Sequence, residues 1–264
     1  MILQPENSSR RFLLISQPAH AWMSGQFARA WGNKSFSRFQ PFEQVCFAAE
    51  QHDVGFLQWE CEPTLNETTG LPFTFEDLPE QLHFDIWRTG ISQLRPVCPY
   101  ASLIVSMHFS TLCERYHNPP SDRNDSECGR YLQEQQENRE AIIRMLRTDH
   151  LLEEALKDLV LDYHRNLLAT WDLLSLQLCR GRSEEFILPQ VPIWSGGAHD
   201  ILVRKIGNAD NIWQLEPWPF REPLLTTVCE AKLISGRFDD PKKMQEALRE
   251  ADRITLEFRF QAAS

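Results

Sequence analysis

The period of the apolar residues changes once along the chain, near Gly181, and that change constrains the fold more than any other feature of the sequence. Before it, apolar side chains recur at helical spacing. His20, Met23, Phe27 and Trp31 share one face between Pro18 and Trp31, and Gly32 supplies a stop. Val45, Ala48, Ala49 and His52 share a face over residues 41–53. The turn-rich segment 60–76 reads as loop. A third long helix is predicted from near Pro79, where Asp77 and Glu80 have capping-box spacing; it carries His83, Ile86, Trp87 and Ile91. A fourth runs from Pro99 to about Tyr116 with Ala101, Ile104, Val105, His108 and Leu112 as its stripe. After a polar loop at 118–129, two further helices are predicted over roughly 130–147 and 151–180.

Beyond Gly181 the pattern becomes that of strands. The run from Asp200 to Ile206, a turn at NADN and then IWQL read as a hairpin. Leu225, Thr227, Cys229, Ala231 and Leu233 alternate with their neighbours, Asp240-Pro241 opens a short helix, and Ile254, Leu256, Phe258 and Phe260 mark a half-buried strand. The expected organisation is mostly α. A helical body over residues 1–180 carries an antiparallel β-rich extension over 181–264 packed on it, α+β overall. The apolar run FLLIS at 12–16 is a candidate strand for that sheet.

Composition narrows the partners. The 264 residues carry 37 acidic and 27 basic side chains, a net charge of −10. Binding to nucleic acid through phosphates needs a basic footprint, and anionic membrane surfaces need one too, so neither partner is expected. No stretch approaches the roughly 20 apolar residues of a membrane span, and no signal peptide is evident at the start. The seven cysteines are odd in number and lack a C-x-x-C pair. Buried free thiols are therefore expected rather than a disulfide framework or a thiolate zinc site, and the cytoplasm is the simplest compartment. The sequons Asn7-Ser8-Ser9 and Asn66-Glu67-Thr68 have no use there. Nothing in the sequence sets an oligomeric state.

Chemistry enters with the histidines. His20, His52, His83 and His108 each have apolar neighbours one helical turn away, where burial is costly unless the ring nitrogens find partners. His52 is followed by Asp53 at the end of the second helix, and Gly55 allows the backbone to turn away. A loosened last turn lets the adjacent imidazole and carboxylate converge on one ion. The other His-Asp dipeptide, His199-Asp200, follows Ser195-Gly196-Gly197 and is expected in a loop without helical companions. His164 lies two turns before Asp172 and reads as a supporting or surface residue, and His117 and His150 border loops.

The order His20, His52-Asp53, Asp172 resembles the H…HD…D signature of the HD-domain metal-dependent phosphohydrolases, over roughly residues 16–180. With His83 and His108 the order becomes H…HD…H…H…D and is similar to the dinuclear members, among them certain cyclic-nucleotide and cyclic-dinucleotide phosphodiesterases and the mixed-valent diiron oxygenases. The phrases QPAHAWMSGQFARAWG, HDVGFLQWE and PYASLIVSMH also resemble an uncharacterised bacterial family of the HD-like group. The resemblance implies an HD-like helical bundle. It implies a first metal on His20, His52, Asp53 and Asp172, and a second that Asp53 bridges and His83 and His108 complete. Imidazoles and carboxylates without thiolates suit one or two ions of Mn, Fe, Zn or Mg. Paired ions would activate a bridging water.

Around that centre, Arg165 lies seven residues before Asp172 and is a candidate to meet a substrate phosphate. Gln17, Phe56, Trp59 and Trp87 are candidates for the substrate pocket, and Trp218 for a lid or packing anchor. Phe56 stands where related phosphodiesterases carry a lysine, a departure that weakens the cyclic-dinucleotide reading. No nucleophile elbow, phosphate-binding glycine loop or dinucleotide fingerprint is present. The leading expectation is a metal-dependent hydrolase acting on a phosphorylated small molecule. A diiron oxygenase on the same ligands and a metal-stabilised binding or sensory protein are the alternatives.

Overall fold

The computed structural model describes residues 1–6, 11–117, 126–182, 184–207 and 211–263. The sequon at Asn7, most of the 118–129 loop and the centre of the NADN turn lie outside the described residues. The chain is α+β, about half helical, and built around one curled seven-stranded mixed sheet. The strands are β1 (Ile2–Pro5), β2 (Arg11–Ile15), β5 (Phe186–Pro192), β6 (Ala198–Ile206), β7 (Ile212–Glu216), β8 (Leu224–Ser235) and β9 (Asp252–Ala262), in the order 1-2-8-9-7-6-5. A separate two-stranded ribbon, β3 (Leu65–Asn66) and β4 (Leu71–Pro72), lies inside the segment expected as loop.

This corrects the expected fold class: no HD-like helical-bundle core is evident, and the sheet is not an antiparallel C-terminal extension. Both ends of the chain build it. The run at 11–15 forms β2 and pairs with β8, and β1 adds outside it. The last strand, β9, inserts at the centre, antiparallel to β8 and parallel to β7. Two features concealed this. β1 has four residues and ends at Pro5, and β5 is interrupted by Pro189, so neither reads as a clean alternation. Alternation also reports which face is buried and is silent about the neighbour's direction.

The helices are α1 (Gln17–Ala30), α2 (Phe42–Gln51), α3 (Phe56–Cys61), α4 (Glu80–Leu94), α5 (Pro99–Tyr116), α6 (Glu127–Leu146), α7 (Asp158–Cys179) and α8 (Pro241–Glu250). The predicted capping box before α4 is displaced by one turn: Thr74 and Asp77 form it around a short 3-10 turn, and α4 starts after Pro79 without a side-chain cap. The sheet's inner face, including Leu13, Ile15, Cys229, Ala231, Phe258 and Phe260, packs on the helical body, and α8 covers Leu14 and Ile234 on the other face with Met244 and Leu248.

One junction places the site. β2 ends at Ile15, Ser16 caps α1 by accepting from the Ala19 amide at 3.1 Å, and α1 crosses β8 at once. The Gln26 side chain donates to the Val228 carbonyl and accepts from its amide, both at 2.9 Å, beyond the point where β2 stops pairing with β8. A helix side chain thus satisfies the strand groups that β2 leaves open. Five cysteines are free, and Cys113 and Cys128 form a disulfide between α5 and α6, which the spacing did not suggest. Among the described residues no helix is long and apolar enough to cross a membrane.

Candidate metal centre

Four elements of the helical body converge on one buried polar cluster. α1 supplies His20, the end of α2 supplies His52 and Asp53, α5 supplies His108 and α7 supplies Asp172. The three imidazoles and Asp53 are each 5% exposed or less. Asp172 keeps 16% of its side chain accessible, so it marks the open side of the cluster.

The carboxylates lie among the rings. Asp53 Oδ2 is 3.0 Å from His20 Nε2 and 3.5 Å from His52 Nε2. Asp172 Oδ1 is 3.5 Å from both nitrogens, and its Oδ2 is 3.2 Å from His108 Nε2. His52 Nε2 and His108 Nε2 are buried and make no well-aligned hydrogen bond, although each lies within 3.5 Å of a carboxylate oxygen. No lysine or arginine pairs with either carboxylate among the described residues. His20, His52 and Asp53 have ligand atoms close enough together to hold a metal ion.

Tautomers are set from outside the cluster. The Ala49 carbonyl can only accept, so His52 Nδ1 donates to it at 2.9 Å and Nε2 faces inward. His20 Nδ1 meets Ser175 Oγ at 2.7 Å, which in turn meets Ser24 Oγ at 2.7 Å. On its other side His20 Nε2 is hydrogen-bonded to Asp53 Oδ2 at 3.0 Å, and carbonyls of His20, Trp171 and Asp172 accept from the two serine hydroxyls. Ring nitrogens and charged oxygens thus face one another in a dry site, where a proton or a metal cation between them offsets the charge.

The titration behaviour has the same origin. Burial pushes the Asp53 carboxyl up, but His52 and His20 beside it leave it below its ordinary value. Burial also opposes ionisation of Asp172, and His108 and His52 overcome it and hold that carboxyl well below its ordinary value. For His52, burial works against the charge, yet Asp53 and then Asp172 prevail and raise it to about 9.

Two glycines permit this convergence. A Cβ on Gly55 would lie 2.2 Å from the Ile86 carbonyl oxygen and 2.8 Å from the Gly90 nitrogen, so α4 can approach the turn after Asp53 only because that position is glycine. Its φ is −59°, so the close approach, and not a left-handed conformation, accounts for the glycine. On α1, a Cβ on Gly25 would meet Glu50 Cβ at 2.6 Å, which brings α2 close to α1.

A family profile described as "Protein of unknown function (DUF3891)" matches residues 1–236. The chain belongs to the DUF3891 family. No curated protein and no solved structure matches it. The matched region of this DUF3891 chain contains all five cluster residues.

The remaining candidates fall elsewhere. His83 makes no contact with the cluster: it sits 4.5 Å from the Trp87 ring and near Phe56 and His117, and burial together with His117 lowers it to about 4. Phe56 and Trp87 are buried against it, Trp87 stacks on Phe109, and Trp59 is partly buried against the core. Arg165 donates to Thr111 Oγ1 at 3.0 Å and pairs with Asp162 at 3.2 Å, so it ties α7 to α5. Gln17 lies one turn before His20 on the same face, with its amide oxygen buried and unpartnered. His164 is buried, not surface: its Nδ1 lies 2.8 Å from the Tyr100 hydroxyl, and burial lowers it to about 4. Trp218 packs on Phe220 and donates to the Glu222 carbonyl, as an anchor does. His199-Asp200 lies on β6 rather than in a loop. Sequence reasoning missed Ser24 and Ser175. Their signal was a small polar residue on an apolar stripe, at i+4 from His20 and i+3 from Asp172.

Proposed function

We propose that this chain is a metal-dependent hydrolase whose ion is held by His20, His52, Asp53, Asp172 and His108, and that its substrate is a phosphorylated small molecule. The observation that carries the metal is the pair of buried, unpartnered Nε2 atoms on His52 and His108, each within 3.5 Å of a carboxylate that stays ionised. Three neutral imidazoles and two carboxylates balance one divalent charge and suit Mn, Fe, Zn or Mg. The order of the ligands along the chain supports hydrolysis, because it is that of the HD-domain phosphohydrolases even though the surrounding fold differs.

A divalent ion bound there supplies Lewis acidity, lowering the pKa of a coordinated water and drawing charge from a phosphoryl oxygen. The chain's own groups do the rest. Ala49 and Ser175 hold the rings of His52 and His20 with Nε2 inward. Asp172, the most accessible member, faces the side from which substrate arrives. The free Gln17 oxygen accepts an O–H or N–H from water or substrate one turn away from His20.

Metal analysis of the purified protein, followed by phosphate release from a panel of phosphomonoesters and phosphodiesters with Mn or Mg, tests this reading. Bound metal and a turnover that disappears in His52→Ala support it. Protein that neither carries nor takes up divalent metal refutes it. Metal binding without any phosphate release removes the substrate assignment.

A further inference from the structure

Away from the His20–His52–Asp53 cluster, a cavity lies between α8, the outward residues of β2 and β8, and the start of α1. Its volume is about 310 Å³, at the small end for metabolite pockets. The row that floors it is unusual. Lys232 on β8 is the direct register partner of Arg253 on β9, with Leu14 of β2 on its other side. Like charges directly opposite on neighbouring strands destabilise a sheet. Arg249 enters the same cavity from the last turn of α8, a third cation at one point of a chain whose net charge is −10.

The available carboxylates do not absorb this charge. Lys232 donates to the Leu248 carbonyl at 2.8 Å, and neither Arg249 nor Arg253 pairs with a carboxylate among the described residues. Of the acidic residues in the lining, Glu60 is taken by the Met1 amine and the Gln17 amide, and Glu230 accepts from Thr255 at 2.8 Å. Glu62 is exposed. Two guanidinium groups therefore stand free at a cavity whose other walls include Leu14 and Leu248. Guanidinium forks match carboxylate and phosphate oxygens in pairs.

We propose that this cavity binds a small molecule through an oxyanion, a carboxylate or a phosphate, gripped by Arg249 and Arg253, with the apolar part of the ligand against Leu14 and Leu248. The site is separate from the metal centre, although its lining includes Ser16 and Ala19, which lead into His20.

Calorimetric titration of the full-length protein with inorganic phosphate and, separately, citrate tests it. The expected result is binding of at least one probe, weakened about tenfold or more in Arg253→Ala and in Arg249→Ala, and unchanged in His52→Ala. Preference for phosphate assigns the oxyanion as phosphoryl, and preference for citrate as carboxylate. Both arginines are exposed on the sheet face or the helix end, so the variants keep the core intact, and circular dichroism checks this. Three results overturn the proposal: no binding of either probe below about 10 mM, arginine variants that bind like the parent protein, or binding that disappears in His52→Ala.

Discussion

The chain contains the same dipeptide twice, in two settings that give it different meanings. His52-Asp53 sits where α2 ends in a helical turn, and the two side chains converge to 3.5 Å in the dry core beside residues from three other helices. His199-Asp200 lies on β6, where successive side chains point to opposite faces. There Asp200 accepts from the backbone amide of Gln190, a residue at φ 53° in the irregularity between β5 and β6, at 2.8 Å. In the first setting the dipeptide can offer two ligands to one ion. In the second, a carboxylate supports a kinked strand, and the histidine is exposed. Backbone geometry and burial make the difference, not the residue types.

The sharpest break between the two is metal binding. His52→Ala and Asp53→Ala should each lower metal affinity by about 100-fold or more, since loss of a direct ligand exceeds the 10- to 100-fold typical of outer partners. Metal content after dialysis reads this directly, and retention of metal in both variants would move the site elsewhere. Next in size is the pH dependence. With His52 raised to about 9 in the metal-free protein, an incoming ion must displace its proton. Affinity should then fall about tenfold per unit as pH drops below 9, with about one proton released per ion. Calorimetry in buffers of different ionisation enthalpy measures that proton, and a pH-independent affinity would contradict it. Metal-free stability runs the opposite way. The contribution of charged His52 is fully present below about pH 6.5, its unfolded value, and is lost as pH rises through about 9.

The comparison also shows which parts of the molecule the chain announces. Helical spacing put His20, His52 and His108 on apolar stripes of separate helices, the HD-like ligand order added Asp172, and the four side chains meet. His83 satisfied the same rule, yet its ring meets Trp87 and His117 instead. Periodicity says that a face is buried, but not which neighbour it meets. The sheet was half visible for a related reason. Alternation in Phe258 and Phe260 is clear, whereas the parallel pairing of β9 with β7 and the recruitment of β1 depend on contacts between distant segments. Gly55 was conspicuous for the right position and the wrong reason, since only the approach of Ile86 and Gly90 shows why a side chain is excluded.

A smaller effect tests what holds the first dipeptide's partners in place. Ser175→Ala removes the hydrogen-bond partner of His20 Nδ1, so the ring is held less firmly, and metal affinity should fall about tenfold while a ligand set remains. Gly55→Ala acts on the fold: overpacking against Ile86 should cost about 1–3 kcal/mol in chemical denaturation, with metal weakened only as far as the turn shifts. Unchanged stability in this variant would mean that α4 moves away freely and that the close approach does not constrain the turn.

The smallest effects belong to the second dipeptide, and they decide whether the comparison holds. Asp200→Ala deletes a hydrogen bond to the Gln190 amide, a loss of about 0.5–1.5 kcal/mol for an ordinary bond. Because both partners are exposed, water can replace the carboxylate, which favours the lower half of that range. The Gln190 side chain also donates to the same Asp200 oxygen at 3.4 Å, too long to add much. His199→Ala should stay within about 0.5 kcal/mol, as for exposed positions without a special role. Neither change should alter metal stoichiometry or affinity. Loss of metal in either variant would place a ligand on β6 and undo the distinction between a helix end in the core and a strand at the surface.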